Sequence, residues 1–135
     1  MISNTFSEAV LDRETGLVWQ RTPGGEQQFF TAQLLCSTAT TGGRQGWRLP
    51  SLHELQSLID PSVTAPYPSK AVALPAGHPF VGVSTASFWT GTSDATDTTA
   101  AYVTSIVSGA GPGIILKTMQ TRFWCVRGGG PISVY

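Results

Sequence analysis

The sequence predicts an α+β domain: an N-terminal hairpin, two short helices, a long loop region and a C-terminal antiparallel meander. Three observations carry that prediction. Strand-like runs lie at both ends of the chain, a capped helical pattern stands before its middle, and a proline-rich stretch without periodicity separates that pattern from the later strands.

EAVLD (8–12) and GLVWQ (16–20) flank the turn RET and read as a hairpin, with Gly16 suited to the turn and Trp19 directed inward. PGGEQ (23–27) reads as a loop. A helix is expected from Phe30 to about Ala39, with Leu34, Leu35 and Phe30 or Thr31 on its apolar face and Cys36 close by. It ends before Gly42-Gly43. In GWRLPSLHELQSL (46–58) Ser51 stands three residues before Glu54, the spacing of a capping box. The hydroxyl accepts from the Glu54 amide and the carboxylate from the Ser51 amide. Leu52, Leu55, Leu58 and Ile59 then share one face of a helix over 51–59, which Asp60-Pro61 stops. Pro50 holds Leu49 extended ahead of the cap.

Residues 61–87 carry five prolines (61, 66, 68, 75 and 79) and read as a long loop, a kind of segment that often carries function. Strands are expected at SFWTGT (87–92), AAYVTSIVS (100–108), GIILKTM (113–119) and RFWCVR (122–127), with a turn over 109–112. Tyr102, Thr104 and Ile106 alternate with Val103, Ser105 and Val107, so both faces of that strand are expected to be buried. Trp19, Trp47, Phe88, Trp89, Phe123 and Trp124 all fall in or beside these elements and read mostly as core. There is no internal repeat, and the length suits one domain over 1–135.

Eight Lys and Arg balance eight Asp and Glu, which counts against a nucleic-acid partner or an anionic surface. Charged residues are only 12 %, but 41 % of the chain is hydrophobic, so it folds rather than staying disordered. The first twenty residues hold no apolar signal region, and no apolar run reaches the roughly 18 residues of a membrane span. Export would therefore depend on a signal outside this chain, and no membrane insertion is expected.

Cys36 and Cys125 form no CxxC. They stand as two free thiols, a nucleophile with a bystander, or one disulfide closing about 90 residues and contributing roughly 4–5 kcal/mol. A bridge would persist only in an oxidising compartment. His53-Glu54 begins like HExxH, but Ser57 stands where the second histidine is needed, and His78 lies in the proline-rich loop. No metal or other cofactor is therefore expected. Arg48 reads as a structural arginine that locks its loop to a carboxylate or to carbonyls. No catalytic residue is assigned, because there is no GxSxG and neither cysteine has a catalytic context. Asp94 and Asp97 could offer loop oxygens to calcium, but aspartates also favour solvated turns.

DRETGLVWQR (12–21), the cysteine helix, GWRLPSLHELQSLID (46–60), FWTGTS (88–93), AYVTSIVSG (101–109) and RFWCVRGG (122–129) occur in the order found in the DUF1566 family. This is the C-terminal domain of the Legionella collagen-like protein (Lcl), and the resemblance covers about residues 8–129. WRLPS-x-x-EL also resembles an element of formylglycine-generating-enzyme-like domains, and both groups are similar to C-type-lectin-like folds. The resemblance implies a Cys36–Cys125 disulfide, with Trp19, Trp47, Arg48, Pro50, Ser51, Glu54 and Trp89 as structural motif residues. It implies an envelope, secreted or phage-related recognition and adhesion domain, binding a glycan or protein ligand. Its adhesin members bind sulfated glycans as trimers, which makes a homotrimer one expectation here. Ligand contacts are expected in the loops at 61–87, 93–99 and 109–113 and on the last strands, at Tyr67, Lys70, His78, Phe80, Asp94, Asp97, Lys117 and Gln120. The sequence departs from this pattern in having zero net charge with scattered basic residues. The EPN and WND sugar-and-calcium motifs are absent, as is the late cysteine pair of the formylglycine-generating enzyme. A display scaffold using about residues 104–122 is the alternative, and a formylglycine-generating-type enzyme the third reading.

Overall fold

The computed structural model describes residues 9–12, 14–43, 45–59, 74, 79–83, 86–106 and 112–128. The N-terminal hairpin forms as expected. Strand β1 (Ala9–Leu11) pairs antiparallel with β2 (Leu17–Gln20), with Val10 opposite Trp19. Its turn is closed by Asp12, whose backbone accepts from Gly16 N–H at 2.8 Å and whose Oδ1 accepts from Glu14 N–H at 3.0 Å. Gly16 sits at φ 75°, a left-handed conformation that a side chain disfavours.

The remaining elements follow as β3 (Gly24–Gln27), α1 (Phe29–Ser37), α2 (Leu52–Gln56), β4 (Ser87–Ser93), β5 (Ala100–Ser105), β6 (Gly113–Leu116), β7 (Thr121–Phe123) and β8 (Val126–Gly128). They form two sheets, one ordered β1-β2-β8 and the other β3-β7-β4-β5-β6. The β4-β5-β6 part is the expected antiparallel meander. Strand β7 then returns to pair parallel with β4, Phe88 against Arg122.

Three expectations change. RFWCVR is two strands instead of one, because the chain leaves the large sheet after Phe123 and joins the small one at Val126. PGGEQ is largely strand, not loop. Gly24 pairs with Phe123, and a Cβ on Gly24 would lie 2.4 Å from that ring, so this glycine admits an aromatic ring against the backbone. Helix α2 spans only Leu52–Gln56 before a turn, although Leu55 and Leu58 are buried as expected. The turn expected at 109–112 falls mostly outside the described residues.

The large sheet has a core on each face. Trp89, Ala101, Val103 and Phe123 pack with Phe29, Ala32 and Cys36 of α1 and with Trp47 and Leu49. Phe88, Ile106, Trp124, Trp19, Leu55, Leu58 and Phe80 form the second cluster. Burial on both faces of β5 follows directly. Two tryptophans serve opposite cores: Trp89 Nε1 donates to Gln27 O at 2.7 Å, and Trp124 Nε1 to Gln20 O at 2.7 Å. Each satisfies its indole N–H while burying the ring. Cys36 and Cys125 are joined by a disulfide with Cα atoms 5.5 Å apart, which ties α1 to the crossing between β7 and β8.

The candidate functional site, a groove beside an uncharged helix

The polar stretch at 48–54 is occupied by structure. Ser51 Oγ accepts from Glu54 N–H at 3.2 Å, and Glu54 Oε1 accepts from Ser51 N–H at 2.8 Å. Arg48 grips both carboxylate oxygens of Glu54, Nη1 to Oε1 at 2.7 Å and Nη2 to Oε2 at 2.9 Å, and donates to the carbonyls of Leu49 and Gly128. Burial raises the Glu54 pKa, but the bonds from Arg48 and Ser51, with the charge of Arg48, outweigh it and hold the carboxyl below its ordinary range. A carboxylate so saturated is a poor proton acceptor. His53 is exposed on α2, and among the described residues no three His, Cys, Asp or Glu side chains are placed to hold a metal ion. Arg127 Nε likewise serves structure, donating to Gln45 O at 2.8 Å.

The surface beside α1 is different. Cys36 must face inward to reach Cys125, which fixes the helix phase and buries Ala32 and Phe29 at i−4 and i−7. Phe30 and Leu34, expected on the helix's apolar face, are 65 % and 60 % exposed, and Leu35 is 41 % exposed. Phe30, Gln33, Leu34 and Ser37, spaced i, i+3, i+4 and i+7, form a stripe along one wall of an open groove of about 610 Å³. Trp47, Arg48, Leu49 and Gly91 are the other described residues that line it. No charged residue occurs anywhere from Gln27 to Gly43, so this exposed helix surface is electrically neutral.

Phe30 also links the groove to the loop end of the sheet. Lys117 Nζ lies 4.6 Å from the Phe29 ring centroid and 5.4 Å from that of Phe30, within cation–π range. Lys117 N–H donates to Thr99 O at 2.8 Å, and its carbonyl accepts from Phe29 N–H at 3.1 Å. Asp97 Oδ1 accepts from the hydroxyl and N–H of Thr99, and these bonds together with the Lys117 charge lower its pKa. Asp94 Oδ1 accepts from the N–H and hydroxyl of Thr96 at 3.1 and 3.0 Å, so both aspartates carry local turns.

The expected ligand residues therefore divide. Lys117 and Asp97 come together beside Phe30, Asp94 lies in the same loop, and Gln120 is exposed in the turn after β6. Phe80 does not join them. It is 5 % exposed and stacks edge-on against Trp124 at 4.8 Å, because its apolar ring completes the second core. Tyr67, Lys70 and His78 lie outside the described residues. The groove is not legible from the apolar pattern, which puts Leu34, Leu35 and Phe30 or Thr31 on one helix face close to Cys36. Taking Cys36 as the fixed inward residue would have placed Phe30 and Leu34 outside.

No helix among the described residues is long and apolar enough to cross a membrane. No curated protein matches the chain significantly. The sequence pattern of the Lcl C-terminal domain, in contrast, matches residues 8–127. That span runs from the hairpin through the Arg48–Glu54 joint to both bridged cysteines, and the chain belongs to the Lcl C-terminal domain family.

Proposed function

We propose that this domain is a non-enzymatic recognition and adhesion module of the extracellular space or cell envelope, C-type-lectin-like in architecture, which binds a glycan or a protein ligand. The observation that carries the reading is the groove along α1. It combines large exposed apolar side chains on an uncharged helix face with a disulfide-tied scaffold. Covering Phe30 and Leu34 would contribute up to about 1.5–3 kcal/mol each before ordering costs. The saturated Glu54 supports the non-enzymatic reading, since the most enzyme-like segment is a structural joint. The disulfide supports an oxidising location.

The oxidised domain, applied to glycan arrays and to immobilised extracellular proteins beside Leu34→Asp, tests the proposal. Binding that the variant loses sustains it. Binding that the variant keeps, or no binding to either set, overturns it.

Exposed Ile114 and Leu116 on edge strand β6, with Met119 in the following turn, favour a second reading as a display scaffold that meets a receptor through its C-terminal strands. Leu116→Asp would then abolish binding while Leu34→Asp would not. Sedimentation of the same samples checks the trimeric assembly that the family resemblance implies.

A further inference from the structure

We infer that the α1 groove takes an uncharged saccharide laid against Phe30 and Leu34, and that Gly91 is the residue that keeps the groove clear. This rests on the groove being the recognition surface. Among the described residues that line it, Arg48 is the one that carries a charge, and its guanidinium is committed to both oxygens of Glu54 and to two carbonyls. A sulfate or carboxylate entering the groove would have to compete with that pairing, whereas a neutral ligand disturbs nothing. Lys117, which is not among the described lining residues, holds its Nζ 4.6 and 5.4 Å from the Phe29 and Phe30 ring centroids, and its charge is felt by Asp97.

The remaining chemistry is that of a hydroxyl-rich ligand with one apolar face. Phe30 and Leu34 offer the apolar surface, and Gln33 and Ser37, on the same helical stripe, offer an amide and a hydroxyl. A volume of about 610 Å³ falls within the range of small-ligand sites. That size favours a few sugar rings over a flat protein interface.

Gly91 supplies an independent observation. It is an exposed glycine inside β4, where glycine weakens a strand, and its φ is not in the left-handed region. Its N–H donates to Pro50 O at 2.7 Å. A Cβ there would meet its nearest atoms, Leu49 O and Cβ, at 3.5 and 3.8 Å, which is ordinary contact. Neither backbone conformation nor packing requires glycine at this position. A side chain would, however, project beside Leu49 into the groove that both residues line.

The test presents neutral and sulfated oligosaccharides on one array to the oxidised domain, at about 50 and about 500 mM NaCl. Wild type is compared with Gly91→Val and Phe30→Ala, two changes at exposed positions, and thermal melts report whether each variant folds. The expected result is binding to neutral glycans that changes less than about twofold with salt and weakens about tenfold or more in both variants. Salt-sensitive binding to sulfated glycans alone overturns the inference. If the variants abolish that binding, the groove remains the recognition surface and only the ligand class is wrong. Neutral binding that both variants retain overturns the inference and the groove reading together. Silence on every glycan overturns the inference, and the protein-binding arm with Leu34→Asp then decides the broader reading separately.

Discussion

Arg48 and Glu54 are joined by two parallel hydrogen bonds of 2.7 and 2.9 Å, and the same guanidinium reaches Gly128 O at 3.0 Å. One side chain thus connects the start of α2 to the end of β8, 80 residues away in sequence. The backbone repeats the link, since Arg48 and Val126 exchange N–H···O bonds of 2.8 Å in both directions. The joint holds helix and small sheet together, which is why a motif resembling an active site serves the fold.

Glu54→Gln should cost about 1.5–3 kcal/mol at neutral pH, the range for hydrogen bonds to charged groups. Glutamine keeps the shape and can still accept from Ser51 N–H, so the loss reports mainly on the charge. The Glu54 pKa is lowered in the folded protein, so its contribution is fully present above the ordinary carboxylate range and is lost as pH falls through the lowered value. Urea unfolding from pH about 7 to about 3 should therefore show the gap between wild type and variant narrowing in acid. A constant gap would mean that the carboxylate charge contributes nothing.

Cys36→Ser should lower stability by roughly 4–5 kcal/mol without reductant, because the bridge closes a loop spanning 89 residues of sequence separation. Both cysteines are buried, so the free Cys125 left behind gains no compensating solvation. Wild type in strong reductant should melt close to the variant. Equal melting temperatures for the oxidised wild type and the variant would refute the estimate.

The sequence made the hairpin and the cap at Ser51 legible because both are local: a turn glycine, an S-x-x-E spacing, a leucine repeat. It missed what depends on distant partners. Gly24 and Gly25 resemble a loop until Phe123, about a hundred positions later, is seen to lie on Gly24. RFWCVR reads as one strand because its composition is continuous, although the two sheets divide it. The phase of α1 was ambiguous for a related reason. FFTAQLLCS holds enough apolar residues for either of two faces, and only the bridge from Cys36 selects one. The groove beside the uncharged face of α1 follows from that selection, and no catalytic or charged motif in the sequence marks it.

Gly24→Ala should destabilise by about 1–3 kcal/mol, the range for overpacking a well-filled site. The added Cβ would fall 2.4 Å from Phe123 Cε1 and Cζ, so the ring must move or β3 must separate from β7. Phe123→Leu shortens the obstructing side chain. The cost of Gly24→Ala should therefore be clearly smaller in the Phe123→Leu background, which a double-mutant cycle measures. Additive costs would place the strain elsewhere.

Leu34→Ala and Leu55→Ala, the same chemical change on the two helices, should differ severalfold in cost. Leu55 is fully buried in the second core and its truncation should cost about 2–5 kcal/mol. Leu34 is 60 % exposed on the groove wall, so its truncation should stay within about 0.5 kcal/mol, the usual range at the surface. Helix propensity does not blur the comparison, because alanine is at least as good a helix former as leucine at either position. Denaturant melts of the two variants measure the difference directly. A cost at Leu34 approaching that at Leu55 would mean that α1 turns its leucines inward. With a small cost at Leu34, any ligand affinity lost in the same variant is lost from the surface of an intact domain, which separates recognition at this helix from its folding.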